Sequence, residues 1–252
     1  MERDKKIDYA KAILIILVVC GHCGIFRDFD YLFHMAVFFM ISGYCINEKY
    51  YNSFSGVKSF IFKKIKSLYI PYIAFNLSTL ILHNLFIKVN LYTDNAALYS
   101  DPHISDVFGA SVYYSAKDII SYGKACVLLM YGEKISTTWF LGALFITGIC
   151  WVCANYLFKK VFGKYGAYAS MVLGLALLCV CWSVQNAGVS IPLRFYTEKI
   201  CYTYFLLDLG QLAKKMIKVM GKSMLVAAGL PAFTSLLYAA RGGTKYRLQP
   251  TK

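Results

Sequence analysis

Two histidines and two carboxylates lie close together in the chain: His22, Asp28, Asp30 and His34. Imidazole changes charge near neutral pH, and a neutral ring held by a carboxylate takes a proton from a hydroxyl, so this quartet suits general-base chemistry. The plainer alternative is one buried, hydrogen-bonded histidine beside a solvated one. A second group, Lys58, Lys63, Lys64 and Lys66, follows Phe54, Val57, Ile61, Ile65 and Leu68 at helical spacing. That pattern describes an amphipathic helix whose lysines meet anionic groups, either a phosphorylated ligand or simply anionic lipid. Asp8 and Lys11 stand three apart, close enough to pair on one helix face and anchor it at an interface.

The elements that would carry these residues are set by hydropathy. Of the 252 residues, 58% are apolar and 16% charged, with a mean hydropathy of +0.52. Soluble domains carry about a quarter charged residues. The apolar residues come in blocks near 10–26, 31–46, 68–87, 138–158, 165–184 and 195–213, with a further one at 223–240. Blocks of about 17 to 25 residues match the length of a membrane-crossing helix. The expected fold is therefore all-α, a polytopic integral membrane bundle of six to seven helices, with one transmembrane domain over 1–240 and a basic tail over 241–252. Pro71 falls where a first helical turn tolerates it.

A net charge of +14 first suggests nucleic acid, but its distribution excludes that partner. Sixteen of the 27 basic residues fall in the four stretches assigned to the cytoplasm, and seven fall in the external ones. The asymmetry follows the positive-inside rule and puts the N-terminus in the cytoplasm. Residues 10–26 are read as a retained helix, since no small-residue cleavage site follows. The turn at 24–30 is expected to be tight and external. The long stretch 88–137 is expected to be a partly helical external lid or a re-entrant element. On this topology His22 lies fourteen residues beyond Asp8, about 21 Å along a helix, near the outer surface beside His34.

Most of the nine cysteines lie in or beside apolar blocks, and they read as small packing residues. Two C-x-x-C pairs, Cys20 with Cys23 and Cys150 with Cys153, make poor zinc sites there, because their thiolates would be ionised in a low-dielectric medium. No metal is expected. Other intramembrane polar residues are His83, with Asn76 and Asn84, which would line a cavity, and Asp208 in the sixth block. Trp139 and Phe140 have the position of interface anchors.

Four strings, IDYAKAILIILVVCGHCGIF, FHMAVFFMISGY, FIFKKIKSLYIPY and TTWFLGALF, stand in an order and spacing that resembles the membrane acyltransferase-3 family. The likeness covers about the first 158 residues and thins to hydrophobic pattern beyond. It implies transfer of an acyl group, commonly acetyl from acetyl-CoA, to sugars of bacterial surface polysaccharides, in the bacterial cytoplasmic (inner) membrane. The implied partners are acyl-CoA, a carbohydrate or lipid-linked sugar acceptor and membrane lipids, with no permanently bound cofactor. By the same resemblance His22 is the catalytic base, Asp8 the acid opening the first helix, and His34 the histidine of the FHM string. Ser42, Gly43 and Tyr44 match the SGY end of the second helix, and Trp139 the WF pair. Where the family places arginine, this chain has Lys63, Lys64 and Lys66, which attract CoA phosphates as point charges without a bidentate fork.

On this reading CoA docks at the basic stretch and its thioester arm reaches through the bundle to His22. Direct attack by the acceptor and an acyl-histidine intermediate both remain open, with His34, Asp28 or Asp30 as orienting groups. Two other readings compete. A small proton-coupled transporter or polysaccharide-export component would use the same intramembrane groups, but should show repeats or broken helices. A C-terminally truncated, non-catalytic remnant would explain why the chain offers fewer spans than the family it resembles.

Overall fold

The computed structural model describes residues 5–22, 27–92, 113–128, 138–187 and 194–220. Every α, 3-10 and π element among them is helical, with no strand. The order is α1 (Lys5–His22), α2 (Arg27–Tyr44), a 3-10 turn (Glu48–Tyr50), α3 (Phe54–Lys64), a π turn (Ile65–Tyr69), α4 (Ile70–Lys88), α5 (Ala116–Val127), α6 (Trp139–Phe162), a 3-10 turn (Gly163–Tyr165), α7 (Gly166–Asn186) and α8 (Arg194–Met220). Each of the first six expected spans overlaps a described helix. Two continuous runs among the described residues, Phe54–Lys88 and Trp139–Val184, are long and apolar enough to cross a membrane. The seventh block, 223–240, and the basic tail lie outside the described residues.

The chain divides into two compact units, residues 1–47 with 205–252, and residues 48–204. In the first unit α1 packs along α2. Two helices joined by four residues can pack only antiparallel. Leu14 is buried in α1, whereas Ile13, Ile16 and Val19 are exposed, an apolar outer face that water would penalise and lipid would not. The C-terminal end of α2 lies directly on α8. A methyl group placed on Gly43 would run into the Leu207 backbone, and one on Gly210 into the carbonyl of Met40 and the amide of Tyr44. Glycine at both positions lets the two backbones touch, the packing that helices use where no hydrophobic effect draws them together.

In the second unit α3 continues through the π turn into α4 as one run of 35 residues. The helix expected over the basic stretch and the span expected at 68–87 are thus joined at the π turn. Pro71 lacks an N–H and its ring crowds the carbonyl four residues back. The π turn accommodates both by widening the helix just before it, and the Ile70 N–H bonds to Ile65 O, five residues earlier. Beyond it, Tyr72, Asn76, Leu80, His83 and Ile87 form one buried stripe on α4, at the period of an α-helix.

The part of stretch 88–137 that is described folds as α5, opened by a capping box. The Ser115 N–H donates to Asp118 Oδ2 (2.9 Å) and the Asp118 N–H donates to Ser115 Oγ (3.3 Å). Asn84 holds the start of this segment, since its amide donates to Tyr114 O (2.9 Å) and its Oδ1 accepts the Tyr114 N–H (2.8 Å). Tyr69 holds the far end by donating to Val127 O (2.6 Å). α5 therefore runs antiparallel along α4 over fifteen residues, about 22 Å. α6 ends at Gly163, whose φ of +54° suits glycine, and turns tightly into α7.

Candidate active site

His22 is the last residue of α1, and α2 begins at Arg27. The expected turn at 24–30 is thus shorter. Asp28 and Asp30 belong to the first turn of α2, where carboxylates are favoured by the positive end of the helix dipole. Because the helices are antiparallel, the end of α1 that carries His22 lies beside the acidic start of α2. His34 comes seven residues after Arg27, about 10 Å into α2. The backbone therefore brings His22 level with Asp28 and Asp30, and sets His34 two turns deeper.

At the opposite end of this hairpin Asp8 and Lys11 lie on α1, both half-buried. Tyr44 ends α2, with the Lys214 ammonium 5.9 Å from its ring centroid. Two residues of α8 complete this end. Gln211 Nε2 donates to Gly43 O (2.6 Å) and Ile46 O (2.8 Å), and Lys214 Nζ donates to Ile46 O (2.8 Å). Gly43 O also accepts the Ile46 N–H (3.0 Å), and a cation beside this helix end meets the negative end of the dipole. Gln211 drew no attention in the sequence, because a single polar residue at the edge of a basic stretch carries no pattern. Asp208 lies in mid-helix on α8 and is buried.

In the second unit Lys49, Lys63 and Lys159 gather around an aromatic platform of Tyr50 and Tyr51. Five lysines and one acid lie between residues 47 and 66. Lys49 and Lys63 stand 5.2 and 5.7 Å from the Tyr50 ring centroid, with Lys63 Nζ 3.4 Å from the Tyr50 hydroxyl. Lys159, from the far end of α6, donates to Asn52 Oδ1 (2.6 Å) and stands 5.9 Å from the Tyr51 ring. Trp151 meets Tyr51 edge-on at 5.5 Å, and Phe60 meets Tyr50 at 5.3 Å, so the platform is tied to α6 and α3. Burial, and secondarily Glu48, pushes the Tyr51 phenol above its usual range, keeping it a neutral hydroxyl. Lys63 and Lys66 are exposed, whereas Lys64 is half-buried with its ammonium 5.2 Å from the buried Phe60 ring. Two of the three expected phosphate ligands thus face outward. Lys49 and Lys159 join the patch; their separation in sequence hid their convergence.

His83 and Asn84 serve α5. The His83 ring stacks on Tyr114 at 3.8 Å with 9° between planes, and Asn84 is committed to the Tyr114 backbone. Burial first, then Tyr122, Asp118 and Tyr92, pushes the Tyr114 phenol up to about 12. Asn76 accepts a hydrogen bond from Thr138 Oγ1 at 2.9 Å. Trp139 opens α6, with Lys199 Nζ 4.2 Å from its ring centroid. Further along, the buried Asn155 donates to Ser170 Oγ (2.9 Å), which lies 3.1 Å from the Tyr204 hydroxyl. Among the described residues no group of three metal-ligating side chains converges.

A helical hairpin with His22 at the end of one helix and Asp28 and Asp30 in the first turn of the next, together with apolar helical runs of membrane-crossing length, fits a membrane-associated transferase. The family model described as an acyltransferase domain matches residues 4–218, and the chain belongs to this acyltransferase-3 family. It is accordingly an acyltransferase that moves a group other than aminoacyl. No curated protein and no solved structure matches the chain.

Proposed function

We propose that this protein is a polytopic O-acyltransferase of the bacterial inner membrane, with six to seven spans and a cytoplasmic N-terminus. It would carry an acetyl group from acetyl-CoA to a hydroxyl of a cell-envelope carbohydrate, free or lipid-linked. The observation that carries the reading is the position of His22, which closes α1 five residues ahead of the start of α2 and its acidic first turn, in a chain whose family moves acyl groups.

In this mechanism a neutral nitrogen of His22 takes the proton of the acceptor hydroxyl as its oxygen attacks the thioester carbonyl. The tetrahedral adduct collapses by breaking the C–S bond, and the imidazolium returns its proton to the departing CoA thiolate. The products are an O-acetyl ester and CoA. Asp28 or Asp30 orients the imidazole and stabilises its charged form, as a carboxylate does for any base histidine. His34, two turns further into α2, is the third group that this reading offers to orient the imidazole. The CoA phosphates are held by Lys63 and Lys66, with Lys64, Lys49 and Lys159 adding to the field.

The test uses membranes containing the full chain, acetyl-CoA labelled in the acetyl group, and a panel of cell-envelope carbohydrates. Label in an ester that mild base releases from a sugar supports the reading. Absence of label from every acceptor, with the protein shown to be folded in the membrane, overturns it.

A further inference from the structure

The lysine end of the second unit carries more than the Tyr50 and Tyr51 platform. Residues 48–66 and 156–168 together hold eight lysines and one acid. The two stretches lie at one level, because Lys159 bonds to Asn52 and the Phe54 ring stands 6.5 Å from that of Tyr156. α6 and α7 run antiparallel on either side of the turn at Gly163–Tyr165, as the bond from Asn155 to Ser170 requires. Both helices are long enough to cross the hydrocarbon, so the turn between them emerges at a membrane face. The run from α3 through α4 has 35 residues, roughly 50 Å against about 30 Å of hydrocarbon, and the part that leaves it is the lysine-bearing α3. At this level large rings are exposed beside ammonium groups. Phe54 is 59% exposed with Lys58 Nζ 4.8 Å from its centroid, and Tyr165 is 59% exposed with Lys164 Nζ 5.1 Å from its centroid. Phe62, Val161 and Phe162 are exposed as well. Lys58 lies one turn further into α3 than Phe54, so its stem bends back toward the membrane face, as a snorkelling lysine does. Water penalises such rings and hydrocarbon penalises such charges; the headgroup layer suits both.

We propose that Phe54, Lys58, Lys160, Lys164 and Tyr165 form a binding site for an anionic phospholipid, separate from the lysines assigned to CoA. Lys58, Lys160 and Lys164 are all exposed, and Lys58 and Lys164 stand over rings other than those of the Tyr50 and Tyr51 platform. Their ammonium groups meet the lipid phosphate, while the exposed rings pack against the glycerol and the first methylenes of the acyl chains. Charge selects the lipid. A patch of eight lysines and one acid attracts a headgroup of net negative charge, and gains little from a zwitterionic one whose own ammonium cancels the phosphate. The inference rests on the chain's place in a membrane and on neither the acyl donor nor the acceptor.

The experiment places the full chain in mixed micelles of a neutral detergent with equal amounts of dioleoylphosphatidylglycerol and dioleoylphosphatidylcholine. Native mass spectrometry then gives the ratio of the two lipids that stay bound. Wild type should retain phosphatidylglycerol in clear excess. Each of Lys58→Gln, Lys160→Gln and Lys164→Gln should lower the ratio about fivefold, and the triple variant about a hundredfold, since a lysine near an anionic surface contributes about a factor of five. Arginine at the same three positions keeps the charge and should keep the ratio. The proposal is overturned if wild type holds both lipids equally, or if the folded glutamine variants, single and triple, keep the wild-type ratio. It is also overturned if the triple glutamine variant loses binding of CoA while its lipid ratio is intact, which would give these lysines to the nucleotide. The lipid ratio does not depend on acetyl transfer, so this idea and the proposed activity fail or stand separately.

Discussion

The joint between α2 and α8 and the joint between α4 and α5 hold helices together by opposite means. In the first, Gly43 and Gly210 remove the side chains and the two backbones meet, with Gln211 and Lys214 binding the carbonyls of Gly43 and Ile46. In the second, side chains reach across: Asn84 to the Tyr114 backbone, Tyr69 to Val127, and His83 stacked on Tyr114. A backbone contact has no slack, because anything larger than hydrogen must push the helices apart. A clamp made of side chains loses one hydrogen bond at a time and degrades in steps. The rigid joint adjoins the hairpin that carries His22, whereas the graded one holds a segment lying along α4.

The largest difference should come from Gly43→Val. Its side chain meets the Leu207 backbone, and overpacking of that kind costs about 3 kcal/mol or more. The yield of folded protein in mild detergent and its melting temperature should fall sharply. Asn84→Ala should cost about 1 to 3 kcal/mol, because the Tyr114 N–H and C=O both lose their partner. Its effect should be local, seen as faster hydrogen exchange in α5 with α1 and α2 unchanged. A global loss of protection in Asn84→Ala would erase the contrast between the two joints.

Replacing both Lys63 and Lys66 by alanine should raise the KM for acetyl-CoA several-fold and leave kcat near that of wild type. These exposed ammonium groups would bind ground state and transition state alike. The smallest effect concerns pH. The Tyr114 phenol, pushed up to about 12 in the folded protein against 10.0 for a free one, binds its proton more tightly when α5 is docked. That contribution is complete below pH 10 and is lost as pH rises toward 12. Exchange protection of α5 should therefore weaken over this window, and Tyr114→Phe should remove the dependence.

The helices themselves were plain in the sequence, since blocks of apolar residues bounded by lysines permit little else. The stretches expected at 68–87, 138–158 and 165–184 differ from α4, α6 and α7 by a few residues at their ends. Joints were harder to see. Gly43 reads as part of an SGY string and Gly210 as an ordinary helix glycine, and nothing local says that they oppose each other. Pro71 suggested a helix start, but a π turn that carries α3 into α4 depends on how the chain before the proline is packed. The early start of α2 moved Asp28 and Asp30 from a turn to a helix, which separated their level from that of His34. Lys63 was legible as a basic residue on a helix, whereas Lys159, over ninety positions later, joins it through Tyr50, Tyr51 and Asn52.

The central claim is that His22 removes the acceptor proton. The most direct measurement is the rate of labelled acetyl transfer from acetyl-CoA by wild type and by His22→Ala, both at equal folded amounts in membranes. A general base contributes about 10² to 10⁴ in rate, so His22→Ala should fall by at least a hundredfold while still binding acetyl-CoA. Transfer by His22→Ala at the wild-type rate would contradict the assignment.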